Sequence, residues 1–236
     1  MERETKRLVL PKTFTKINLS TCRDRRLAQY LKKRRIDQKI INRFKIGYCE
    51  WSQEPDERPW SNRLIIPSYD DSGALNFFVG RDFLPDKKEH EPGSFIRPKY
   101  KNCDAEKNDI IFQESLIDWD ADIILVEGAI DCIYGPNTIS MLGKTMDENT
   151  ALFKKLRAKS TAKVILCLDG DVDDLQIEKL CNLLYYGGIG ERTYYIDMKR
   201  DIAQYKDFGE IFEAEGRRGI IMALRKMKQY NGQNIW

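Results

Sequence analysis

Two apolar runs constrain this chain more than anything else in it: residues 123–126 (Ile-Ile-Leu-Val) and residues 163–168 (Lys-Val-Ile-Leu-Cys-Leu). Neither shows the alternation of a half-exposed strand. Both read as strands covered on two faces, the pattern of a parallel sheet flanked by helices. Each run stops abruptly in acid and glycine, Glu127-Gly128 after the first and Asp169-Gly170-Asp171 after the second. Ligands of open parallel sheets bind beyond the carboxyl ends of the strands. Glu127, Asp169 and Asp171 therefore stand where chemistry is expected.

Carboxylates gathered at buried strand ends repel, raise one another's pKa and destabilise the fold unless a cation neutralises them. A hard divalent ion held by a few carboxylates, with positions open to water and substrate phosphate, meets that need. Each acid alone also reads as a strand end or a helix cap; the pattern reads as a metal site. Asp131 lies one turn into the helix that follows Glu127 and faces the same point. Asp173 and Asp174 open the next helix, where capping and metal binding are equally good readings.

With 236 residues, 42% of them hydrophobic, the chain can bury a core in one or two domains. No run approaches the ~18 apolar residues of a membrane span, and the amino terminus lacks an apolar signal segment. The expectation is a cytoplasmic protein with no membrane partner. Six cysteines occur with no CxxC, and His90 is the single histidine. That argues against zinc in this chain and for free thiols; His90 reads as a solvated loop residue. Residues 1–50 hold fifteen Lys or Arg against five Asp or Glu, a balance of +10, while the rest of the chain carries −7. A basic portion joined to an acidic one suits a protein that grips a phosphate backbone beside bound metal ions.

In chain order, Ser20 or Thr21 caps a first helix through about Arg34. A second runs from Asp37 to Phe44 and ends near Gly47. Arg63 opens a strand (RLIIP), Asp70-Asp71-Ser72-Gly73 is a hairpin turn, and residues 76–79 return into Gly80-Arg81. Residues 84–93 read as a loop. The stretch Arg97-Pro-Lys99-Tyr100-Lys101-Asn102 packs basic groups around an aromatic and an amide, a combination that can hold phosphates and stack on a base. Residues 147–158 read as a helix. The next helix buries Leu175, Ile177, Leu180 and Leu184. Residues 187–190 are a loop, residues 192–196 a strand, and residues 217–230 a last helix with Ile220, Ile221, Leu224 and Met227 on one face.

The VEG of residues 126–128 with Asp131, followed by LDGD at 168–171, resembles a TOPRIM domain, the catalytic module of bacterial primases, type IA and II topoisomerases and some nucleases. Glu127 matches its glutamate, and Asp169 with Asp171 its DxD pair. The upstream sequence narrows the resemblance to DnaG-type DNA primases of bacteria and bacteriophages. LAQYLKKRRIDQKIINRFKIGYCE is similar to the helix pair that opens their polymerase core. RLIIP…DDSG…FFVGR is similar to their hairpin ending in GGR, with Val79 in place of the first glycine. PKYKN is similar to their PKYLN motif, matched at Lys99, Tyr100 and Asn102. Lys206-Asp207 resembles the start of their third acidic motif; Gly209 stands where its second acid is expected, and that role is not transferred to Glu210. The resemblance runs from about Leu27 to about Gly216.

It implies an α/β fold: an α+β amino-terminal subdomain plus a TOPRIM Rossmann-like parallel sheet flanked by helices. The expected divisions are an extension at 1–20, the basic subdomain at 21–118, TOPRIM at 119–216 and a C-terminal helix at 217–236. The implied activity is synthesis of short RNA primers on single-stranded DNA from ribonucleoside triphosphates. Mg²⁺ or Mn²⁺ would be held by Glu127, Asp169 and Asp171, helped by Asp131 and Asp207. Arg63, Arg81, Arg97, Lys99 and Lys101 would hold template and triphosphate, with Tyr100 and Asn102 positioning base or sugar. With no zinc ligands and no helicase-binding portion expected here, a separate zinc-binding primase protein and a replicative helicase are the implied partners. The alternative is a TOPRIM-type metal-dependent nuclease or other DNA-processing protein, which would not need the RPKYKN stretch. A topoisomerase would need a nucleophilic tyrosine, and none of the eleven sits in a recognisable cleavage motif. An idle DNA-binding subunit would not need the intact acids.

Overall fold

A computed structural model describes residues 8–84, 97–233 and 235; residues 1–7, the segment 85–96 with His90, and residues 234 and 236 lie outside the described residues. The chain divides into two units, Met1–Ser68 with Leu75–Ala105, and Tyr69–Ala74 with Glu106–Trp236.

The first unit runs β1 (Phe14–Lys16), α1 (Arg25–Lys33), α2 (Gln38–Arg43), β2 (Gly47–Cys49), β3 (Arg63–Tyr69), β4 (Leu75–Asp82) and β5 (Tyr100–Asn102). Its strands lie side by side in sequence order. β1 is edged into the sheet, and the Glu57 carboxylate accepts from the Lys12 and Thr13 amides (3.0 and 3.1 Å). The described part of residues 1–20 is therefore integral to this sheet rather than an extension. α1 begins at Asp24, not at Ser20 or Thr21, because the Asp24 carboxylate takes the Arg26 and Leu27 amides (2.8 and 3.2 Å). Ser20 is engaged instead in a turn by the Asn18 side chain. α2 stops before Gly47: Lys45 turns left-handed (φ 51°) and the Ile46 amide returns to the Ile41 carbonyl, which satisfies the helix end. Gly47 is already in β2. The RPKYKN stretch, given no secondary structure by its sequence, adds a strand antiparallel to β4.

The second unit runs β6 (Ile123–Val126), α3 (Ala129–Cys132), β7 (Thr138–Ser140), α4 (Ala151–Lys159), β8 (Val164–Leu166), α5 (Asp174–Leu184), β9 (Thr193–Tyr195), α6 (Met198–Asp201), α7 (Phe208–Leu224) and β10 (Lys228–Gln229). The sheet order is β10-β9-β8-β6-β7; β7, β6, β8 and β9 are parallel and β10 is antiparallel. Ile123, Leu125, Val164 and Leu166 are buried beneath Leu152, Phe153 and Leu156 of α4 and Ile177, Leu180 and Leu184 of α5, as two-sided apolar strands require.

Several sequence expectations shift. Ile111 is buried in this second core, so the lead-in from Glu106 belongs here and the division falls well before residue 118. α4 starts at its Thr150 cap rather than at Asp147. Leu175 is exposed, since it sits on the outer side of the first turn of α5. Residues 185–189 prolong α5 as a wide helical turn instead of a loop. α7 crosses the expected boundary at residue 217 with a bend at Gly216 (φ 64°), a backbone state glycine adopts without strain. Past that bend Ile220 and Ala223 face inward, Ile221 is exposed, and the chain leaves the helix to form β10.

Candidate active site

The parallel register of β6 and β8 pairs Leu125 with Leu166, so the two strands end level and their terminal acids become neighbours. The Asp169 amide donates to Glu127 Oε1 (3.0 Å). Four further hydrogen bonds fix the surroundings. The Glu127 carbonyl accepts from Ser140 Oγ (2.9 Å) and from the Gly143 amide (3.2 Å). The Gly170 amide, between the two aspartates, donates to the Lys206 carbonyl (2.7 Å). The Gly209 amide donates to Asp131 Oδ1 (2.9 Å).

That last contact explains two glycines. A Cβ on Gly128 would lie 2.5 Å from Asp131 Oδ2, and one on Gly209 would lie 2.9 Å from Oδ1. The buried Asp131 carboxylate is thus seated between two bare backbones. Asp207 caps α7 by accepting from the Glu210 amide (2.7 Å), while Glu210 accepts from the Lys206 amide (2.8 Å). Glu210 serves the helix start and not the acid cluster.

The cluster is short of positive charge. Burial, then the charges of Glu127, Asp207 and Asp171, push the Asp169 carboxyl up to about 7. Burial also raises Glu127. Asp171 moves the other way, held down first by its hydrogen bond to Lys206, whose ammonium lies 2.8 Å from Oδ2; Lys144 lies 3.4 Å from Oδ1. Sequence reading assigns neither lysine a role; their proximity follows from backbone ties between distant segments. Cys167 lies beneath Asp131, Asp169 and Asp207, but burial raises its thiol, so it stays a protonated core residue.

A metal here would meet oxygen donors only, which fits a hard divalent cation and not zinc. Among the described residues no three Asp, Glu, His or Cys side chains close into a ready-made shell. Magnesium-type ions are commonly held by one or two carboxylates plus water and phosphate, without an all-protein cage. Glu127, Asp169 and Asp171 could supply such ligands, with Asp131 and Asp207 alongside. Asp173 and Asp174 are engaged elsewhere: Asp173 caps α5 (Leu175 amide, 3.0 Å), and Asp174 pairs with Arg200 (2.7 Å) and Lys199 (3.6 Å).

In the first unit, β5 presents the other predicted residues. Tyr100 pairs across the strands with Arg81, whose guanidinium carbon sits 4.6 Å from the ring centroid. Lys99 approaches the same ring (5.9 Å), and Lys101 lies 4.8 Å from the Trp60 ring. Lys99, Tyr100 and Asn102 are exposed. Arg97 pairs with Asp82 (2.5 Å) and donates to the Ser61 carbonyl.

Arg63 is different. It is 1% exposed, and its guanidinium donates to the carbonyls of Pro59 (2.9 Å), Gly80 (3.4 Å) and Pro98 (2.8 Å). Burial, and then the neighbouring charge of Arg97, lowers its pKa to about 10. The expected contact with template or triphosphate does not suit a side chain so enclosed; Arg63 clips the start of the basic strand to β4. Gly80 lets it pass, since a Cβ there would meet Arg63 Cδ at 2.9 Å.

No family model matches the chain. A DNA primase of Aquifex aeolicus (strain VF5) is 25% identical over 229 aligned positions, covering 81% of this chain and 44% of that protein. The chain thus spans less than half the length of that relative. Among solved structures, the zinc-binding and RNA polymerase domains of the Aquifex aeolicus primase superpose with a TM-score of 0.66 at 22% identity, over 88% of this chain and 57% of that one. A DNA primase domain from Pseudomonas aeruginosa gives 0.66 at 20%, over 89% and 74%. A DnaG primase catalytic domain bound to single-stranded DNA gives 0.64 at 19%, over 90% and 74%. The chain has the α/β fold of the DnaG primase catalytic core.

Proposed function

We propose that this chain is the catalytic core of a DNA primase, making short RNA primers on single-stranded DNA by template-directed nucleotidyl transfer. The second unit is read as its TOPRIM domain. The observation that carries the reading is the under-neutralised acid cluster, with Asp169 raised to about 7 by burial and its acidic neighbours, on a fold shared with primase cores. Bound Mg²⁺ or Mn²⁺ would acidify the attacking 3′-hydroxyl and offset the charge developing on the transferring phosphoryl group.

The chain's own residues divide the remaining work. Glu127, Asp169 and Asp171 hold the cation, and the buried Asp131 and the cap Asp207 add negative charge beside them. Alternatively, Glu127, raised in pKa by burial, accepts the hydroxyl proton in place of holding the cation. Lys99, Lys101 and Arg97 contribute charge for phosphates. Tyr100, backed by Arg81, offers a stacking face, and Asn102 a hydrogen-bonding amide. Arg63 positions this strand from within. Described residues include no helix long and apolar enough to cross a membrane, in keeping with work in the cytoplasm of a bacterium or a phage-infected host. A zinc-binding primase protein and a replicative helicase are the proposed partners.

The test incubates the chain with single-stranded DNA, Mg²⁺ or Mn²⁺ and labelled ribonucleotides beside Asp169→Ala, with and without a zinc-domain protein. Short RNA made by the unaltered chain alone supports the reading. Absence of RNA together with degraded DNA moves the assignment to a TOPRIM-type nuclease.

A further inference from the structure

Lys144 and Lys206 take no part in the scheme above, yet their ammonium groups converge on one carboxylate, one on each oxygen of Asp171. We infer that these two lysines form a polyphosphate clamp. They are counterions of Asp171 in the free protein. They become donors to the triphosphate tail of the incoming nucleotide, or to the pyrophosphate it leaves, once a divalent cation claims that carboxylate. The inference rests on the primase reading of the acid cluster.

Stability does not account for the pairing. Both lysines and Asp171 are about half exposed, and such surface pairs contribute little. Their backbones, by contrast, are fastened with care. The Lys206 carbonyl takes the Gly170 amide from the acid loop itself, and its own amide is held by Glu210. The Lys144 carbonyl takes Gln176 Nε2 from α5 (2.8 Å). The turn before it is tied to Glu127 through Gly143, and to Ser140 Oγ through the Leu142 amide, with Leu142 strained into the left-handed region (φ 53°). Strain of this kind persists where the surroundings over-determine it, commonly at functional sites. Two anchored backbones thus carry two flexible stems, 62 residues apart in sequence, to one point.

The electrostatics give them a task. Five carboxylates repel a polyphosphate, and the fields of both lysines already reach Glu127 as well as Asp171. A divalent ion and an ammonium compete for the same carboxylate oxygens. Displaced ammoniums remain tethered beside the site, and a nucleotide's polyphosphate arrives with the cation. Lysine's rotatable, compact charge suits such a transfer between acceptors.

The experiment uses the full chain with Lys144→Gln, Lys206→Gln, the double variant and Lys206→Arg, each checked for an unchanged melting temperature. Mn²⁺ uptake alone is followed by electron paramagnetic resonance, and inorganic pyrophosphate binding by calorimetry with and without Mn²⁺. The glutamine variants are expected to bind Mn²⁺ severalfold more tightly, because a competing cation is gone. They should bind pyrophosphate about tenfold more weakly per lysine, as loss of a charge-assisted hydrogen bond predicts. Lys206→Arg should retain most of the affinity. Unchanged pyrophosphate affinity in the double variant, while the unaltered chain binds Mn²⁺ and Asp169→Ala does not, overturns the clamp and leaves the acid site standing. An unaltered chain that takes up neither Mn²⁺ nor pyrophosphate overturns both.

Discussion

Replacing Asp169 by asparagine should stabilise the metal-free protein above neutral pH. In the fold its carboxyl titrates near 7, raised from 3.8 by burial and by Glu127, Asp207 and Asp171. A raised acid binds more protons folded than unfolded, so its contribution is favourable below the unfolded value and is lost as pH rises from about 4 to about 7. The rise spans about three units, an upper bound near ~4 kcal/mol that solvent screening of a partly exposed carboxyl reduces to about 2 kcal/mol. For a unit of this size that corresponds to a melting shift of about 5 °C. Scanning calorimetry in chelator should therefore show Asp169→Asn melting about 5 °C above the unaltered chain at pH 8. The gap should shrink to about half at pH 5.5 and close only below about pH 4, where the aspartate is protonated in both states and resembles asparagine. Adding Mn²⁺ at pH 8 should reverse the order, since the asparagine no longer supplies a charged ligand. An asparagine variant that melts at or below the unaltered chain at pH 8 without metal would refute the argument that the cluster is short of positive charge.

Arg63→Met should cost about 3 kcal/mol in urea denaturation of the first unit, because it strips donors from three carbonyls, that of the buried Gly80 among them; an unchanged midpoint would show the clip to be dispensable. Gly209→Ala forces a methyl to 2.9 Å from Asp131 Oδ1 and should destabilise the second unit by about 2 kcal/mol, with primer synthesis falling in parallel. Tyr100→Ala should weaken single-stranded DNA binding about tenfold in fluorescence anisotropy, and Tyr100→Phe hardly at all, since stacking needs the ring and not the hydroxyl. Equal losses in both variants would point to the hydroxyl instead.

The acid cluster was legible because its signal is local: an apolar run, an abrupt acid and a glycine place Glu127 and Asp169 at strand ends without knowledge of the rest of the chain. The parallel arrangement followed from the same runs, whereas the strand order came only with the fold. Contacts joining distant segments were not legible. Nothing near Lys206 in sequence shows that its carbonyl receives the Gly170 amide, or that Gly209 seats the carboxylate of Asp131 from 78 positions away. Arg63 misled for a related reason. An arginine at the head of an apolar strand looks like a surface charge until Gly80 and Pro98 are seen to close over it. Helix starts slipped where two caps competed, as Asp24 prevailed over Ser20, because an Asn18 turn had already engaged the serine.

The two-residue strand β10 has a bearing on solubility. β9 carries Thr-Tyr-Tyr, a sequence with strong strand preference, and β10 covers its outer edge while Lys228 pairs with Asp201 (2.7 Å). A short strand bearing a lysine is a poor template for further pairing, whereas a bare edge recruits strands from other molecules. Cutting the chain after Leu224 would leave the acids and their lysines untouched yet uncover that edge. The expected loss is of monodispersity, seen as concentration-dependent aggregation, before any loss of chemistry.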